Sequence, residues 1–176
     1  METNKKIEYP YLPEGRTILY VPADNVFMQE AKKVAKEKST DKHISTGAVV
    51  VDVNSNTIIT QDANMAPLTN EHLINLHKKY CIRRILGIPS GQKYWICPGC
   101  AGGDHHAEYR ASEKLIKNGF NKNDQFDVYL WGHWWACKDC WGKMLEIPVR
   151  NLYLMEGSEA LFNEKDNRNI IGHQFD

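Results

Sequence analysis

The sequence lacks several features that would restrict the protein to particular classes. No apolar stretch approaches the roughly 20 residues that a helix needs to cross a bilayer, and residues 1–6 contain no apolar signal core. Net charge is also absent, because 22 basic residues balance 22 acidic ones. We therefore expect a cytoplasmic protein with no membrane partner and no general electrostatic affinity for long nucleic acids.

Cysteines are few, and their spacing says more than their number. Of the five cysteines, four form two Cys-x-x-Cys pairs, Cys97 with Cys100 and Cys137 with Cys140. An odd total with paired spacing is typical of metal ligation in a reducing compartment, whereas a disulfide framework favours an even count. The sequence also has no internal repeat and no low-complexity segment, so its 176 residues predict one ordinary domain with a core.

The apolar patterning predicts an α/β protein with a layered sheet, because strand patterns alternate with helix patterns. Residues 1–23 read as an N-terminal arm in which 18–21 could add a short strand, and residues 24–176 read as the domain. Strands are predicted at 47–52, 57–60, 126–131 and 149–154. Helices are predicted at 24–38, 70–86, 105–117, 138–145 and 158–165.

Two details of these helices are specific enough to be checked. Asp24 is a plausible N-cap for the first helix. The helix over 70–86 is expected to turn an apolar stripe inward, formed by Leu73, Leu76, Tyr80 and Ile85.

The most informative feature is the combination of His106-Ala107-Glu108 with Cys137-Lys138-Asp139-Cys140. One imidazole and two thiolates supply three of the four ligands of a tetrahedral zinc ion, which leaves one position open for water. His106 and Glu108 would diverge by about 200° in the middle of a helix, so they can converge only at a helix start. Asp104 is the candidate cap at that start.

The carboxylate of Glu108 gives this set of ligands a catalytic interpretation. Cys137 and Cys140 share one face of a helical turn, and a helix N-terminus favours thiolates. A zinc ion held there would lower the pKa of bound water to around 7, and Glu108 could then accept and deliver the proton. The alternative is a structural zinc with a fourth protein ligand, for which His105 or Cys100 is available, or no zinc at all.

With this motif in place, residues 24–156 resemble the cytidine/deoxycytidylate deaminase superfamily, and most closely its deoxycytidylate (dCMP) deaminase branch. The resemblance rests on the zinc motif. Weaker matches are the segments 46–51, 62–67, 81–84 and 88–91. It implies a three-layer α/β/α sandwich with a mixed five-stranded sheet, and an oligomeric protein. In some relatives dCTP and dTTP act as opposing effectors.

The resemblance also implies roles for single residues. His106, Cys137 and Cys140 would be the zinc ligands, and Glu108 would shuttle protons. Asn64 would contact the sugar or the base, and the backbone N–H of Ala107 would meet the pyrimidine carbonyl.

These implications give three hypotheses for function. The first is hydrolytic deamination of a cytosine nucleotide to the uracil nucleotide with release of ammonia, in particular dCMP to dUMP. The second is deamination of a nucleoside, a modified pyrimidine or cytosine in single-stranded nucleic acid. The third is a non-catalytic, zinc-stabilised binding module.

Departures from the family pattern fall where the substrate should be chosen. Trp134 and Trp135 stand before the cysteine pair and could stack on a base, or could pack in the core or at a subunit contact, as we expect for Trp131. Arg110 could bind a phosphate, with a solvated helix charge or an intersubunit ion pair as the alternative. Weaker phosphate candidates are Lys42, His43 and Lys138.

The first cysteine pair raises the question of a second metal. Cys81, Cys97, Cys100 and His105 together offer enough ligands for a closed structural zinc. Such an ion would pin the loop 87–104 beside the first site. His72 and His77 are less conveniently spaced alternatives, and the competing interpretation is a pair of reduced thiols that bracket a turn.

Overall fold

A mixed five-stranded sheet forms the centre of the molecule. The computed structural model describes residues 7–176. The strands are β1 (Ile18–Val21), β2 (Gly47–Asp52), β3 (Thr57–Ala63), β4 (Phe126–Trp131) and β5 (Val149–Met155). Their order in the sheet is β1-β5-β4-β2-β3. The pairs β1–β5 and β5–β4 are parallel, whereas β4–β2 and β2–β3 are antiparallel.

Six α-helices are described in residues 7–176. They are α1 (Val26–Lys38), α2 (Glu71–Lys79), α3 (Ile82–Ile85), α4 (Ala107–Asn118), α5 (Lys138–Met144) and α6 (Ser158–Leu161). None of the helices in this range combines the length and apolar character that crossing a membrane requires.

Alternating side chains of β2 separate two hydrophobic layers. Val49 and Val51 pack against α1 through residues such as Met28 and Ala31. The next residues along the strand point to the opposite face, where they meet the buried sides of α4 and α5. Helices therefore cover both faces of the sheet, which confirms the expected α/β fold with a mixed five-stranded sheet.

Close packing of α1 on β2 depends on a glycine. A Cβ atom at Gly47 would lie 2.2 Å from the carbonyl oxygen of Ala31 and 2.6 Å from the amide nitrogen of Ala35. Only hydrogen fits at that distance, so the helix backbone approaches the strand directly. This contact fixes α1 on the face opposite to α4.

The predicted strands and most of the predicted helices are present. The segment 18–21 forms an edge strand, and α4 ends at Asn118, followed by Gly119, whose positive φ of +80° favours glycine. The first helix is capped by the side chain of Asn25 and not by Asp24 as expected. Asn25 Oδ1 accepts hydrogen bonds from the amides of Phe27 and Met28.

The single helix predicted over 70–86 is wrong. The chain leaves the helix at Tyr80 and resumes it after Cys81, whose extended backbone turns the thiol inward. The inward sides of α2 and α3 carry His77 and Arg83. The expected apolar stripe is consequently exposed, with fractions of 49% for Leu73, 52% for Leu76, 60% for Tyr80 and 70% for Ile85.

Candidate active site

The start of α4 brings His106 and Glu108 to the same cleft. His106 is the N-cap residue with φ −71° and ψ 155°, so its side chain leaves the chain before the helix begins. Glu108 follows in the first turn. The expectation that the two converge at a helix start is therefore met. Asp104 does not cap this helix, because its carboxylate contacts His105 Nδ1 at 2.7 Å.

The start of α5 presents the two thiols. Cys137 is the N-cap residue, and its Sγ accepts a hydrogen bond from the amide of Cys140 at 3.5 Å. Cys140 lies one turn later and is fully buried. The unpaired N–H groups of this first turn favour negative charge on sulfur, as expected for thiolate ligands.

Three possible ligand atoms meet between these helix starts. His106 Nδ1 lies 3.3 Å from Cys140 Sγ and 3.5 Å from Cys137 Sγ, and the two sulfur atoms are 3.2 Å apart. Zn–S bonds of about 2.3 Å and Zn–N bonds of about 2.0 Å in a tetrahedron place neighbouring ligand atoms roughly 3.5 to 3.8 Å apart. The observed distances equal these values or are shorter by up to about 0.6 Å, so a small outward shift of the thiols would let all three residues hold one zinc ion, with Nδ1 as the imidazole ligand.

The ionisation of the two thiols differs. The hydrogen bond from Cys140 is the main cause that lowers the pKa of Cys137 to about 4. Burial, followed by the neighbouring Cys137 thiolate, raises the pKa of Cys140 well above its ordinary value. A divalent cation at this position would offset that repulsion, since coordination deprotonates thiols outright.

Glu108 is a carboxylate held away from water. It is 4% exposed and lines the cleft beside His106 and Cys137. Burial is the main cause that raises its pKa above the ordinary value. A carboxyl group whose pKa moves toward neutrality is suited to accept and return a proton.

An aromatic ring forms one wall of the cleft. Tyr94 stands edge-on to His106, with ring centroids 5.3 Å apart and an interplanar angle of 79°. The guanidinium of Arg83 covers the Tyr94 ring at 4.3 Å. The free volume of the cleft is about 50 Å³, and its lining includes Tyr94, His106 and Glu108.

Asn64 lines this cleft, but its side chain is occupied by structural contacts. Its Oδ1 accepts hydrogen bonds from Ser39 at 2.6 Å and from the amide of Thr46 at 2.9 Å, while Nδ2 donates to the carbonyl of Ile44 at 2.7 Å. One Nδ2 hydrogen is left for a ligand. Ala107 is fully buried at the first position of α4, between His106 and Glu108.

The structure corrects the expectation for Arg110. Its Nη2 lies 3.1 Å from Asp62 Oδ2, and the same carboxylate receives Lys114 at 2.8 Å. Arg110 is absent from the lining of the cleft. Its observed role is an ion pair within the chain, between α4 and β3.

Of the three weaker phosphate candidates, one reaches the cleft. His43 lines it, and its Nδ1 lies 3.1 Å from the carbonyl of Lys78. Lys42 and Lys138 do not line it.

The two tryptophans before Cys137 differ in position. Trp135 is 6% exposed, lines the cleft, and its amide donates to His133 Nδ1 at 3.3 Å. Trp134 is half-buried and lines a second, adjoining cleft. Trp131 packs in the core between Phe162 and Phe175, as expected.

A second group of possible metal ligands lies under α2 and α3. It contains His77, Cys81, Cys97 and Cys100, all of them buried. Cys100 Sγ is 3.4 Å from Cys81 Sγ and 3.6 Å from His77 Nε2, which again fits tetrahedral zinc. His105 does not belong to this group, because its half-exposed ring contacts Asp104.

The environment of His77 supports a ligand role. Its Nδ1 lies 3.6 Å from Asp41 Oδ1, which is too long for a hydrogen bond but close enough for the charge of the carboxylate to act on the imidazole. Burial lowers the pKa of His77, but the hydrogen bond with Cys81 and the charge of Asp41 outweigh it and raise the pKa. A Cβ atom at Gly99 would lie 2.4 Å from the His77 ring, so the Cys97–Cys100 turn requires glycine there.

The sequence indicated some of these residues only indirectly. Arg84, Tyr94 and His133 line the cleft, although sequence reasoning gave them no role. The sequence presents His77 only as a less conveniently spaced alternative, and it meets Cys81 because the chain leaves α2 at Tyr80 and turns the Cys81 thiol inward. No local pattern marks the others, because they reach the cleft from three separate segments, Arg84 from α3, Tyr94 from the loop after it and His133 from the connection between β4 and α5.

Comparison with known proteins agrees with this geometry. Residues 22–156 match the family model described as "Cytidine and deoxycytidylate deaminase zinc-binding region". The matched range includes both helix starts and all five cysteines. A search of curated proteins found no significant match.

Proposed function

The chain belongs to the cytidine and deoxycytidylate deaminase family, and on that premise we propose that it is a zinc-dependent hydrolase that converts a cytosine nucleotide to the uracil nucleotide and releases ammonia. The proposed substrate is dCMP, with dUMP as the product. One observation carries the proposal: the buried carboxylate of Glu108 lines the same cleft as His106 and Cys137. A zinc ion with a purely structural role needs no such carboxylate.

His106, Cys137 and Cys140 would hold the ion. A bound zinc ion supplies Lewis acidity, which lowers the pKa of water in the cleft toward 7. Glu108 takes one proton from that water and gives it to the pyrimidine ring nitrogen while the remaining hydroxide adds to C4 of the ring. It then takes the second proton from the C4 hydroxyl and gives it to the amino nitrogen, so that the C4–N bond breaks, ammonia leaves and the C4 carbonyl of uracil forms. The N–H of Ala107 and the free Nδ2 hydrogen of Asn64 orient the nucleotide.

The aromatic side chains before Cys137 have a proposed role in holding the base. Trp135 lines the cleft and is 6% exposed, which supports stacking at the inner end. Trp134 lies in the adjoining cleft, where it supports contact with more distal parts of the substrate. Stacking on a base contributes about 1–3 kcal/mol.

We also propose a structural zinc ion at His77, Cys81, Cys97 and Cys100. The buried group of four and the carboxylate of Asp41 behind His77 support it. The ion would fix the loop 87–104, from which Tyr94 reaches His106. A closed set of four protein ligands is typical of structural and not of catalytic zinc.

The direct test measures ammonia release by the zinc-loaded protein. We expect turnover of dCMP that exceeds turnover of deoxycytidine and of short single-stranded DNA. Preference for the nucleoside or for DNA would support the second hypothesis and refute the dCMP assignment. A protein that binds zinc and ligands without releasing ammonia from any of these would instead support the non-catalytic binding module.

Self-association is part of the proposal. The exposed apolar residues of α2 and α3 form a face that a monomer would leave in water. This face supports a homo-oligomer, although regulation by dCTP and dTTP and a cytoplasmic location stay predictions from the sequence.

A further inference from the structure

Arg84 stands where two clefts join. It lines the cleft that contains Glu108, and it also lines the adjoining cleft that contains Trp134. His133 and Trp135 are shared by both clefts as well. The two clefts therefore form one continuous path. Arg84 is the arginine among the residues that line both of them.

Arg83 and Arg84 are neighbours in the sequence but have different partners. Arg83 is 3% exposed, and its guanidinium donates to the carbonyls of Gln92 and Pro89 at 2.9 and 3.0 Å. These contacts hold the loop, so Arg83 is fully engaged in structure. Arg84 has its side chain 15% exposed and pairs instead with one carboxylate, that of Glu164.

Glu164 comes from a different part of the chain than the rest of this junction. It follows α6, and its side chain is 32% exposed. Asn163, Glu164 and Lys165 line only the outer cleft, whereas Glu108 and His106 line only the inner one. The carboxylate thus reaches Arg84 from the solvent side of the path.

The shape of a nucleotide matches this path. A base at Glu108 directs its sugar and phosphate outward, because the inner end of the cleft is closed by the ligand-bearing helix starts. A guanidinium binds a phosphate with the same planar fork that it uses for a carboxylate. A phosphate and Glu164 would therefore compete for the same donors.

We propose that Arg84 binds the 5′-phosphate of the substrate and that Glu164 is the carboxylate which this phosphate displaces. The inference rests on the proposed function, since it places a nucleotide in the inner cleft. Arg84 then determines preference for a monophosphate over a nucleoside. Glu164 satisfies its charge in the free protein and lowers its affinity for other anions.

Substitution of Arg84 tests the phosphate contact. Arg84→Gln should lower kcat/KM for dCMP about 10- to 100-fold, the value of losing a charge-assisted contact, and leave kcat/KM for deoxycytidine within about threefold. Glu164→Gln should have the opposite effect and lower the KM for dCMP. Arg168→Gln is the matched control, because Arg168 is exposed and pairs with Asp166 in the same segment. Equal losses for dCMP and deoxycytidine in Arg84→Gln would overturn the inference.

Binding measurements separate this inference from the proposed function. Isothermal titration of the zinc-loaded protein with dCMP and with deoxycytidine needs no turnover. Weaker binding of dCMP alone in Arg84→Gln supports the phosphate contact even if no ammonia is released, in which case only the proposed function fails. If the protein releases ammonia from dCMP but wild type, Arg84→Gln and Glu164→Gln bind dCMP with equal affinity, the proposed function stands and the inference is overturned. Arg84→Lys, which keeps the charge without the fork, provides a second variant should Arg84→Gln not fold.

Discussion

Tyr94 stands edge-on to His106 at a centroid distance of 5.3 Å, and this contact joins the two groups of possible metal ligands. Tyr94 belongs to the loop that Cys97 and Cys100 close, and Arg83 covers its other side. Arg83 Nη1 in turn lies 3.5 Å from Cys100 Sγ. The position of the His106 ring consequently depends on the second group of cysteines, which takes no part in the proposed reaction.

Replacement of Glu108 separates proton transfer from metal binding. Glu108→Gln should reduce kcat by about 10²- to 10⁴-fold, because the amide cannot accept the proton from water. Zinc content, measured by plasma mass spectrometry, should stay unchanged. Glu113→Gln is the matched control, since Glu113 lies exposed on the same helix and pairs with Lys117. Activity that persisted in Glu108→Gln would remove this residue from the mechanism.

Metal content distinguishes His77 from His105. The intact protein should contain two zinc ions per chain, and His77→Ala should contain one and melt at a lower temperature. His105→Ala should retain both ions, because its ring contacts Asp104 at the surface. One ion in the intact protein would refute the second site.

Two glycines give opposite predictions for the same substitution. Gly99→Ala should destabilise the protein by about 1–3 kcal/mol, since the added methyl group collides with the His77 ring. Gly142→Ala, inside α5, should be stabilising by about 0.5–1 kcal/mol, because nothing lies within 4 Å of the new atom. Denaturant unfolding measures both. A neutral Gly99→Ala would mean that the ring does not sit on this turn.

Half-buried His133 predicts a loss of stability in acid. Burial, followed by the charge of His106, lowers its pKa from 6.5 to about 3. Below pH 6.5 the histidine therefore binds a proton in the unfolded chain but not in the folded protein. The contribution of the neutral ring to the free energy of unfolding is complete above pH 6.5 and is lost as the pH falls toward 3. Between pH 7 and pH 5 the loss should be at most about 2 kcal/mol.

His133→Gln removes this titration and should flatten that part of the pH profile. Chemical unfolding at several pH values measures the slope. His173→Gln is the control, because His173 is an exposed histidine near the C-terminus. An unchanged slope in His133→Gln would contradict the burial of a neutral ring at this position.

The exposed face of α2 predicts self-association. Leu76→Glu should shift the protein toward a monomer in light scattering coupled to gel filtration, since it places a charge in the apolar stripe. Val26→Glu is the control, because Val26 is 69% exposed at the start of α1, where the first turn of a helix tolerates an acidic residue. A wild-type protein that is monomeric in this measurement would contradict the prediction of self-association through α2.

Local patterns predicted the parts of the fold that local forces determine. β2 and β4 follow from short β-branched and aromatic runs, and the end of α4 follows from Gly119. The helix over 70–86 was wrong because its period of apolar residues suggested a buried face. Tertiary contacts decided otherwise, since the thiol of Cys81 must turn toward Cys97 and Cys100.

The candidate site shows the same division. The sequence predicted that four side chains would lie near two helix starts, because motif spacing and helix-start geometry depend on neighbouring residues. These side chains are His106, Glu108, Cys137 and Cys140. The placement of Arg110 was not, since it depends on Asp62 in a distant strand. The role of Arg84 likewise depends on distant segments, because the two clefts that α3 brings it to are completed by residues such as His133 and Glu164.

The arrangement of the thiols ties metal occupancy to oxidation. All five cysteines belong to one of the two ligand groups, and the closest sulfur pairs in them are 3.2 and 3.4 Å apart. A sulfur atom that coordinates zinc is shielded from oxidants, whereas the same pair without zinc is positioned to form a bond with its neighbour. With zinc bound as proposed, each group would have two exclusive states, a reduced one that holds metal and an oxidised one that cannot take it up. Loss of zinc in an oxidising environment would be followed by disulfide formation, and only a reductant would restore the metal-binding thiols.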